Sequence, residues 1–351
     1  MLRLTRLCLS FDVSSFPCCS SSRHMSDLLK AEGRAKRAQL KKDAESDGYY
    51  QRFDSAFHRA RRANTDVETF RRKIETVAAP QTKGEILFGI HSVHEALRSN
   101  RRQLHRLFVK TNQLQLSDDE PSSDDRSRLV ASVLRLAKER SVSIRPSSAS
   151  TLDKLCSNQM HNGFCLDASP LNFTTLDQSD FANASASTVW LLLDGVLDPT
   201  NFGAIVRTAY YLGVEKLIVA EGRRPHRLSP AMSKTSAGAL EFFPVCCVSS
   251  GCDFLEECSR RRFSVIGTCD PSSAHAKGRT SEPIGTFSAD DRPLLVVFGH
   301  EGTGINSDLL ERCEKLLHLS SNRKFESNVA SLNVSVAVGI TLHQLLNFRK
   351  N

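Results

Sequence analysis

Ser331 and Asn333 open the last stretch of the chain, Ser331-Leu332-Asn333-Val334-Ser335-Val336-Ala337, which otherwise reads as a buried terminal helix running on through Ile340, Leu342, Leu345 and Leu346. Polar groups carried into an apolar stretch are costly unless they are partnered. They therefore mark either a helix cap or a hydrogen-bonding site. A second segment, Pro293 to Phe298, is a buried strand that runs into Gly299-His300-Glu301-Gly302-Thr303-Gly304, three glycines around one carboxylate. Glycines at a strand end let backbone approach a ligand closely. Their order, G-x-x-G-x-G, is not the dinucleotide fingerprint G-x-G-x-x-G, and no Gly-Lys-Ser/Thr follows as in a phosphate loop. In a third segment the strand Leu191 to Asp194 ends in a Pro199 turn, and an amphipathic helix starts near Asn201. Asn201 and Gly203 permit a tight turn, and Arg207, further along the helix, points back over the strand end, where open α/β sheets bind ligands.

The elements that must position these groups follow from periodicity. Strands are predicted near 189–193, 216–220, 242–248, 263–268, 294–298 and 315–319, with helices between them, which makes a parallel sheet. Before it, strands at 86–88, 104–109 and 142–145 alternate with helices at 92–98 and 128–138, a small α/β domain that closes near residue 170. An acidic loop from Ser117 to Asp125 interrupts this domain, and the serine- and alanine-rich stretch from Ser179 to Ser187 reads as a linker. Residues 26–80 mix basic and acidic residues with few aliphatics and read as a solvated helix or a disordered extension.

The net charge of +8 favours a polyanionic partner. No apolar run approaches the roughly 20 residues that cross a bilayer, so no membrane span is expected. The first 25 residues, rich in Arg, Leu and Ser with Asp12 their only acid, resemble a mitochondrial transit peptide, and Arg3 and Arg6 interrupt what a secretory core would need. Eleven cysteines show no C-x-x-C pair, which favours free thiols over a metal site or a disulfide framework.

In this order and spacing the three segments closely resemble the three motifs of the SpoU/TrmH family of RNA 2′-O-ribose methyltransferases. Asn201, Gly203 and Arg207 match the first motif, Gly299, Glu301 and Gly304 the second, and Ser331 to Ala337 the third. The resemblance covers roughly 188–350. It extends to 84–170, where the segment from Leu87 to Leu97 resembles the start of the family's small RNA-binding domain and His161-Asn162-Gly163 its exit. The chain departs from the family at Leu319-Ser320-Ser321, where Ile-Pro-Met is usual, and in the basic stretch Asn322 to Phe325 that follows.

The resemblance implies an α/β fold: a trefoil-knotted parallel-sheet methyltransferase domain over 188–351, preceded by a small α/β RNA-binding domain over 84–170 and a linker over 171–187. It implies S-adenosylmethionine as cofactor, held by backbone groups of Gly299, Leu319 and Leu332, with no metal. Arg207 would activate the ribose hydroxyl, often across a dimer; since a guanidinium keeps its proton, it would do so by holding the adjacent phosphate and polarising the hydroxyl, with Asn201, Ser331 and Asn333 completing the hydrogen-bond network and Glu301 anchoring the neighbouring loop or Asn201. It further implies a homodimer packed through the terminal helix, large-subunit ribosomal RNA as partner with guanosine as target, and the mitochondrial matrix as location. A tRNA substrate, a noncatalytic RNA-binding role in ribosome assembly and a nucleotide-dependent oxidoreductase are the rival readings. The glycine order argues against the last.

Overall fold

A computed structural model describes residues 80–114, 124–276, 278–288, 290–321 and 331–348. The expected leader over 1–25, the basic extension as far as residue 79, most of the acidic loop from Ser117 and the stretch Asn322 to Phe325 lie outside the described residues.

The first lobe contains β1 (Glu85–Phe88), α1 (Ile90–Ser99), β2 (Leu104–Lys110), α2 (Asp125–Glu139), β3 (Ser143–Ser147), α3 (Ala149–Leu155) and β4 (Phe164–Ala168). Its strands pair in the order β1-β4-β2-β3. The strand that sequence reading omits, β4, is one of the two inner strands and is buried at every position. Its run Phe-Cys-Leu-Asp-Ala is short, and the carboxylate of Asp167 interrupts its apolar signal. That carboxylate is buried because it accepts from the backbone N–H groups of Lys83 at 3.0 Å and Gly84 at 2.9 Å. Asn162 and Gly163 do not leave the domain, as expected from the resemblance. They form the turn into β4, both with positive φ.

The second lobe is a sheet in the order β7-β6-β5-β10-β8-β11-β9, parallel at every pairing. Its strands are β5 (Val189–Asp194), β6 (Lys216–Ala220), β7 (Val245–Val248), β8 (Ser264–Thr268), β9 (Glu282–Pro283), β10 (Leu294–Gly299) and β11 (Lys315–His318). Alternate residues of β5 feed opposite cores: Val189, Leu191 and Leu193 face one layer, Trp190 and Leu192 the other. The first layer holds α5 (Pro199–Leu212) and the terminal helix α9 (Val334–Phe348); the second holds α7 (Gly251–Arg260) and α8 (Ser307–Arg312). Strand β7 starts at Val245 and not at Phe242, since Pro244 has no N–H to give the ladder and Ala239–Glu241 form a short 3-10 turn.

The stretch expected to be a linker is built into this lobe. Thr174 donates to Val245 O at 2.9 Å and accepts from Cys247 N at 2.8 Å, extending the sheet beside β7. Residues Gln178–Ala182 form α4, whose Phe181 packs edge-on against Trp190 with ring centroids 5.1 Å apart. The small residues around Phe181 conceal this anchor from a composition reading.

The two lobes are joined by a buried ion pair. The guanidinium of Arg102 donates to Glu241 at 2.7 and 3.0 Å, to Glu85 at 2.6 Å and to Ser169 O at 2.8 Å, while Ser233 Oγ donates to Glu241 at 2.7 Å. The side chains of Arg102 and Glu241 are both fully buried. Removing one partner leaves an uncompensated charge, so Glu241→Ala should lower the unfolding free energy by about 3–5 kcal/mol. Glu139→Ala, which breaks an exposed pair with Arg135, should cost under about 1 kcal/mol. Urea unfolding of the two variants checks the contrast.

Candidate active site

Strands β5 and β10 lie side by side, with Gly299 in register with Asp194, so the first and second motif loops leave adjacent strand ends. The fully buried carboxylate of Asp194 fixes both loops. It accepts from Arg223 Nε at 2.7 Å and Nη2 at 3.0 Å, and from the backbone N–H of Asn306 at 2.7 Å. This partner holds the Arg223 guanidinium above its ordinary range. Neither Arg223 nor Asn306 was singled out in the sequence, because each is a polar loop residue with no local motif.

Helix α5 begins with Asp198 as cap, accepting from Thr200 N and Asn201 N at 2.9 Å each, and Pro199 occupies its first turn. Asn201 and Gly203 therefore sit inside the helix and not in a turn. Gly203 answers to packing: a Cβ there would lie 2.6 Å from Met232 O and 2.8 Å from Thr235 Cβ, on α6 (Pro230–Thr235).

Gly299 has a similar origin. A Cβ would fall 2.1 Å from Gly304 C and Ile305 N, so the chain's own returning loop demands the glycine, in addition to any ligand. That loop is closed by His300 N donating to Gly304 O at 3.1 Å and Gly304 N to His300 O at 2.8 Å, with Gly304 at φ +69°.

Ser331 and Asn333 are exposed, contrary to the expectation of polar groups in a buried helix, because α9 starts at Val334. Asn333, not Ser331, performs the capping: its Oδ1 accepts from Ser335 N at 2.9 Å and Ser335 Oγ at 2.6 Å. Its Nδ2 donates to Asn201 Oδ1 at 3.0 Å, and Asn201 Nδ2 donates to Glu301 Oε1. One chain of side chains thus links all three motifs.

Beside this chain opens a cavity of about 730 Å³. Gly299, Leu319 and Leu332 all line it, as do Glu301 and Ser331. Phe298, Ile284 and Val334 give it apolar walls, and Thr268, Ser320 and Thr341 add hydroxyls. An apolar slot with a few placed polar groups, of this size, suits a nucleoside-sized amphiphile.

Arg207 is not at that cavity. Six residues beyond Asn201 it lies about 9 Å along the helix axis and on another face. It is exposed and lines a second groove, of about 1000 Å³, together with Thr208, Tyr210, Tyr211, Gly238 and Ile340. Of the residues expected to act together, Asn201, Glu301 and Asn333 form one network, Ser331 joins the cavity wall, and Arg207 stands apart, facing the first lobe.

Known proteins carry the same organisation. The SpoU rRNA Methylase family matches residues 188–343, and the family described as RNA 2′-O ribose methyltransferase substrate binding matches residues 86–174. The human protein named rRNA methyltransferase 1, mitochondrial, is 33% identical over 275 residues, covering 77% of this chain and 75% of its own. A Pseudomonas syringae protein named 23S rRNA (guanosine-2′-O-)-methyltransferase is 29% identical, covering 76% of this chain and 96% of its own. The solved structure of the SpoU methyltransferase AviRb from Streptomyces viridochromogenes, in complex with the cofactor AdoMet, superposes with a TM-score of 0.54 at 18% identity, covering 76% of this chain and 90% of that one. With its three motifs linked at the strand ends and a relative of this similarity along most of both chains, the protein belongs to the SpoU rRNA methylase family.

Proposed function

We propose that this chain methylates the 2′-hydroxyl of a guanosine ribose in large-subunit ribosomal RNA, using S-adenosylmethionine, in the mitochondrial matrix. The observation that carries the reading is the linked triad of motifs beside a cavity whose walls include Gly299, Leu319 and Leu332. The human relative named for mitochondria and the bacterial relative named for guanosine-2′-O support the location and the nucleotide.

The cavity fits the cofactor in size and in its mixed lining, with Gly299, Leu319 and Leu332 to hold it. Bound there, S-adenosylmethionine supplies a methyl group already activated by its sulfonium, so the chemistry calls for no metal. The remaining task is to orient a weakly acidic hydroxyl and stabilise its developing charge. Arg207, permanently protonated and apart from the cavity of its own chain, serves the cavity of a twin, where it holds phosphate next to the ribose and lowers the cost of that charge. Asn201 and Asn333 keep the first and third motifs at a fixed separation, and Glu301 anchors Asn201 as an acceptor and not as a proton shuttle. Ser331, at the cavity wall, offers a hydroxyl to the reacting ribose.

The chain also acts as a homodimer in this reading. Helix α9 buries Val334, Val338, Leu342 and Leu345 against its own sheet, yet leaves Val336 48% and Ile340 39% exposed. Tyr211, on the neighbouring α5, is 86% exposed. These residues, and not the internally buried Leu342, form the face that a twin would cover.

Three outcomes test the proposal. Arg207→Ala should lower turnover on unmodified ribosomal RNA by at least about a hundredfold, the scale of one lost transition-state contact, with cofactor affinity unchanged by calorimetry. Lost cofactor binding in a folded Arg207→Ala protein would reassign the residue to the cavity. Gly299→Ala should weaken cofactor binding by more than about tenfold, since the loop cannot close over a Cβ, whereas Gly302→Ala, whose Cβ would lie 3.5 Å from His300, should be tolerated. In sedimentation the chain should run near twice its monomer mass and Ile340→Asp should halve it; an active wild-type monomer would remove the dimer from this account.

A further inference from the structure

Resting on the activity proposed above, we propose that His91 and Lys234 join Arg207 in a seat for a backbone phosphate of the RNA, built across the two lobes. Neither His91 nor Lys234 belongs to the three motifs. Both come from segments that lie far from them in sequence.

Lys234 ends α6. Its Nζ donates to Asn162 Oδ1 at 2.7 Å, a neutral partner in the turn into β4, and it makes no ion pair among the described residues. The ammonium is partly buried, and burial pushes it below its ordinary range. The lysine stem crosses Gly89, where a Cβ would fall 2.5 Å from Nζ and 2.7 Å from Cδ. A solvated surface lysine needs neither a glycine beneath it nor an amide to hold it. Asn162 and Gly89 fix the ammonium in place, so the two first-lobe segments that resemble the family's domain start and exit meet at one cation.

His91 stands in the first turn of α1 and is exposed. Partial covering of the imidazole depresses its protonation first, and then its neighbours Lys234, His94 and Arg207 do so. The one carboxylate acting in the opposite direction is Glu95. It is already engaged, accepting from Arg98 at 3.1 Å and sharing a hydrogen bond with His94 at 2.7 Å. The imidazole is a hydrogen-bond donor close to both cations, and a Cβ on Gly238, which lines the groove of Arg207, would lie 3.0 Å from His91 O. Arg207 itself is exposed and makes no hydrogen bond or ion pair to a carboxylate among the described residues.

Two cations without carboxylate partners among the described residues, and an imidazole close to both, suit a phosphodiester, a monoanion with several acceptor oxygens. The Arg102–Glu241 pair holds the lobes in register, so the seat is preformed. Its place next to Arg207 sets the RNA backbone relative to the hydroxyl that Arg207 serves. His91 and Lys234 are positioning residues, acting on the RNA chain and not on the reacting atoms.

The test uses the full chain and an unmodified transcript of mitochondrial large-subunit ribosomal RNA, with affinity measured across a series of potassium chloride concentrations. Lys234→Met should weaken RNA binding about tenfold near physiological salt and reduce the slope of log K against log salt by about 0.7–0.9, the signature of one lost phosphate contact. Cofactor affinity should not change, and Lys234→Arg should restore the slope. If Lys234→Met fails to fold, Lys234→Gln, which keeps a donor for Asn162, carries the same expectation. An unchanged slope in a folded variant would overturn the seat, even if affinity fell, because it would give Lys234 a purely structural role at the Asn162 turn. Wild-type methyl transfer to the same transcript is followed in parallel; its absence would overturn the enzymatic reading and leave the seat to be decided by the slope.

Discussion

The site depends on one side-chain amide. Asn201 donates to Glu301 with its nitrogen and accepts from Asn333 with its oxygen, so a single residue on α5 spans loops that are 100 and 132 positions away in sequence. No charged residue can take this position. An aspartate would set a second carboxylate against Glu301, and a lysine would have no acceptor for Asn333. The same amide holds the start of α9 through Asn333, whose carbonyl oxygen caps that helix. Positioning of the cavity wall and stability of the terminal helix are thus coupled: loss of Asn201 frees the second motif loop and the third motif together.

Beneath this amide lies a second tie of a different kind. Asp194 is fully buried and satisfied by Arg223 and by the Asn306 backbone. It holds the strand ends, while the amide chain holds the side chains above them. A buried carboxylate with fixed donors is rigid and gives the loops one arrangement, which is the condition for binding a cofactor without reorganisation. The glycines fit the same logic. Gly299 and Gly203 are empty because backbone or a neighbouring helix fills the space a Cβ would take, so the second motif loop and α5 pack at distances no other residue allows.

Much of this was legible in the sequence because it is local. Strands β6 and β10 follow from apolar runs bounded by polar turns, and the resemblance of the three motifs points to Asn201, Glu301 and Asn333. What was not legible is tertiary. Strand β4, with a buried Asp167, has no periodicity to announce it, and its burial is licensed by two backbone N–H groups more than eighty residues away. Phe181 hides among serines and alanines, yet anchors its segment on Trp190. The terminal helix carries more apolar positions than one buried stripe requires, and only folding sorts them, with Leu342 inside and Ile340 outside. Arg207 is expected beside the other polar groups, but helical geometry turns it toward the boundary of the lobes, where Lys234 of the second lobe and His91 of the first stand.

The most direct test of the central claim is nucleotide-resolution mapping of methylation by alkaline hydrolysis. Cleavage of RNA by alkali uses the 2′-oxygen as nucleophile, so a methyl on that oxygen protects the linkage that follows it. Unmodified large-subunit ribosomal RNA incubated with the protein and S-adenosylmethionine should acquire one alkali-resistant linkage, after a guanosine, and Asn201→Asp should abolish it. Methyl label incorporated into RNA whose every linkage stays alkali-labile would place the methyl on a base and contradict the account.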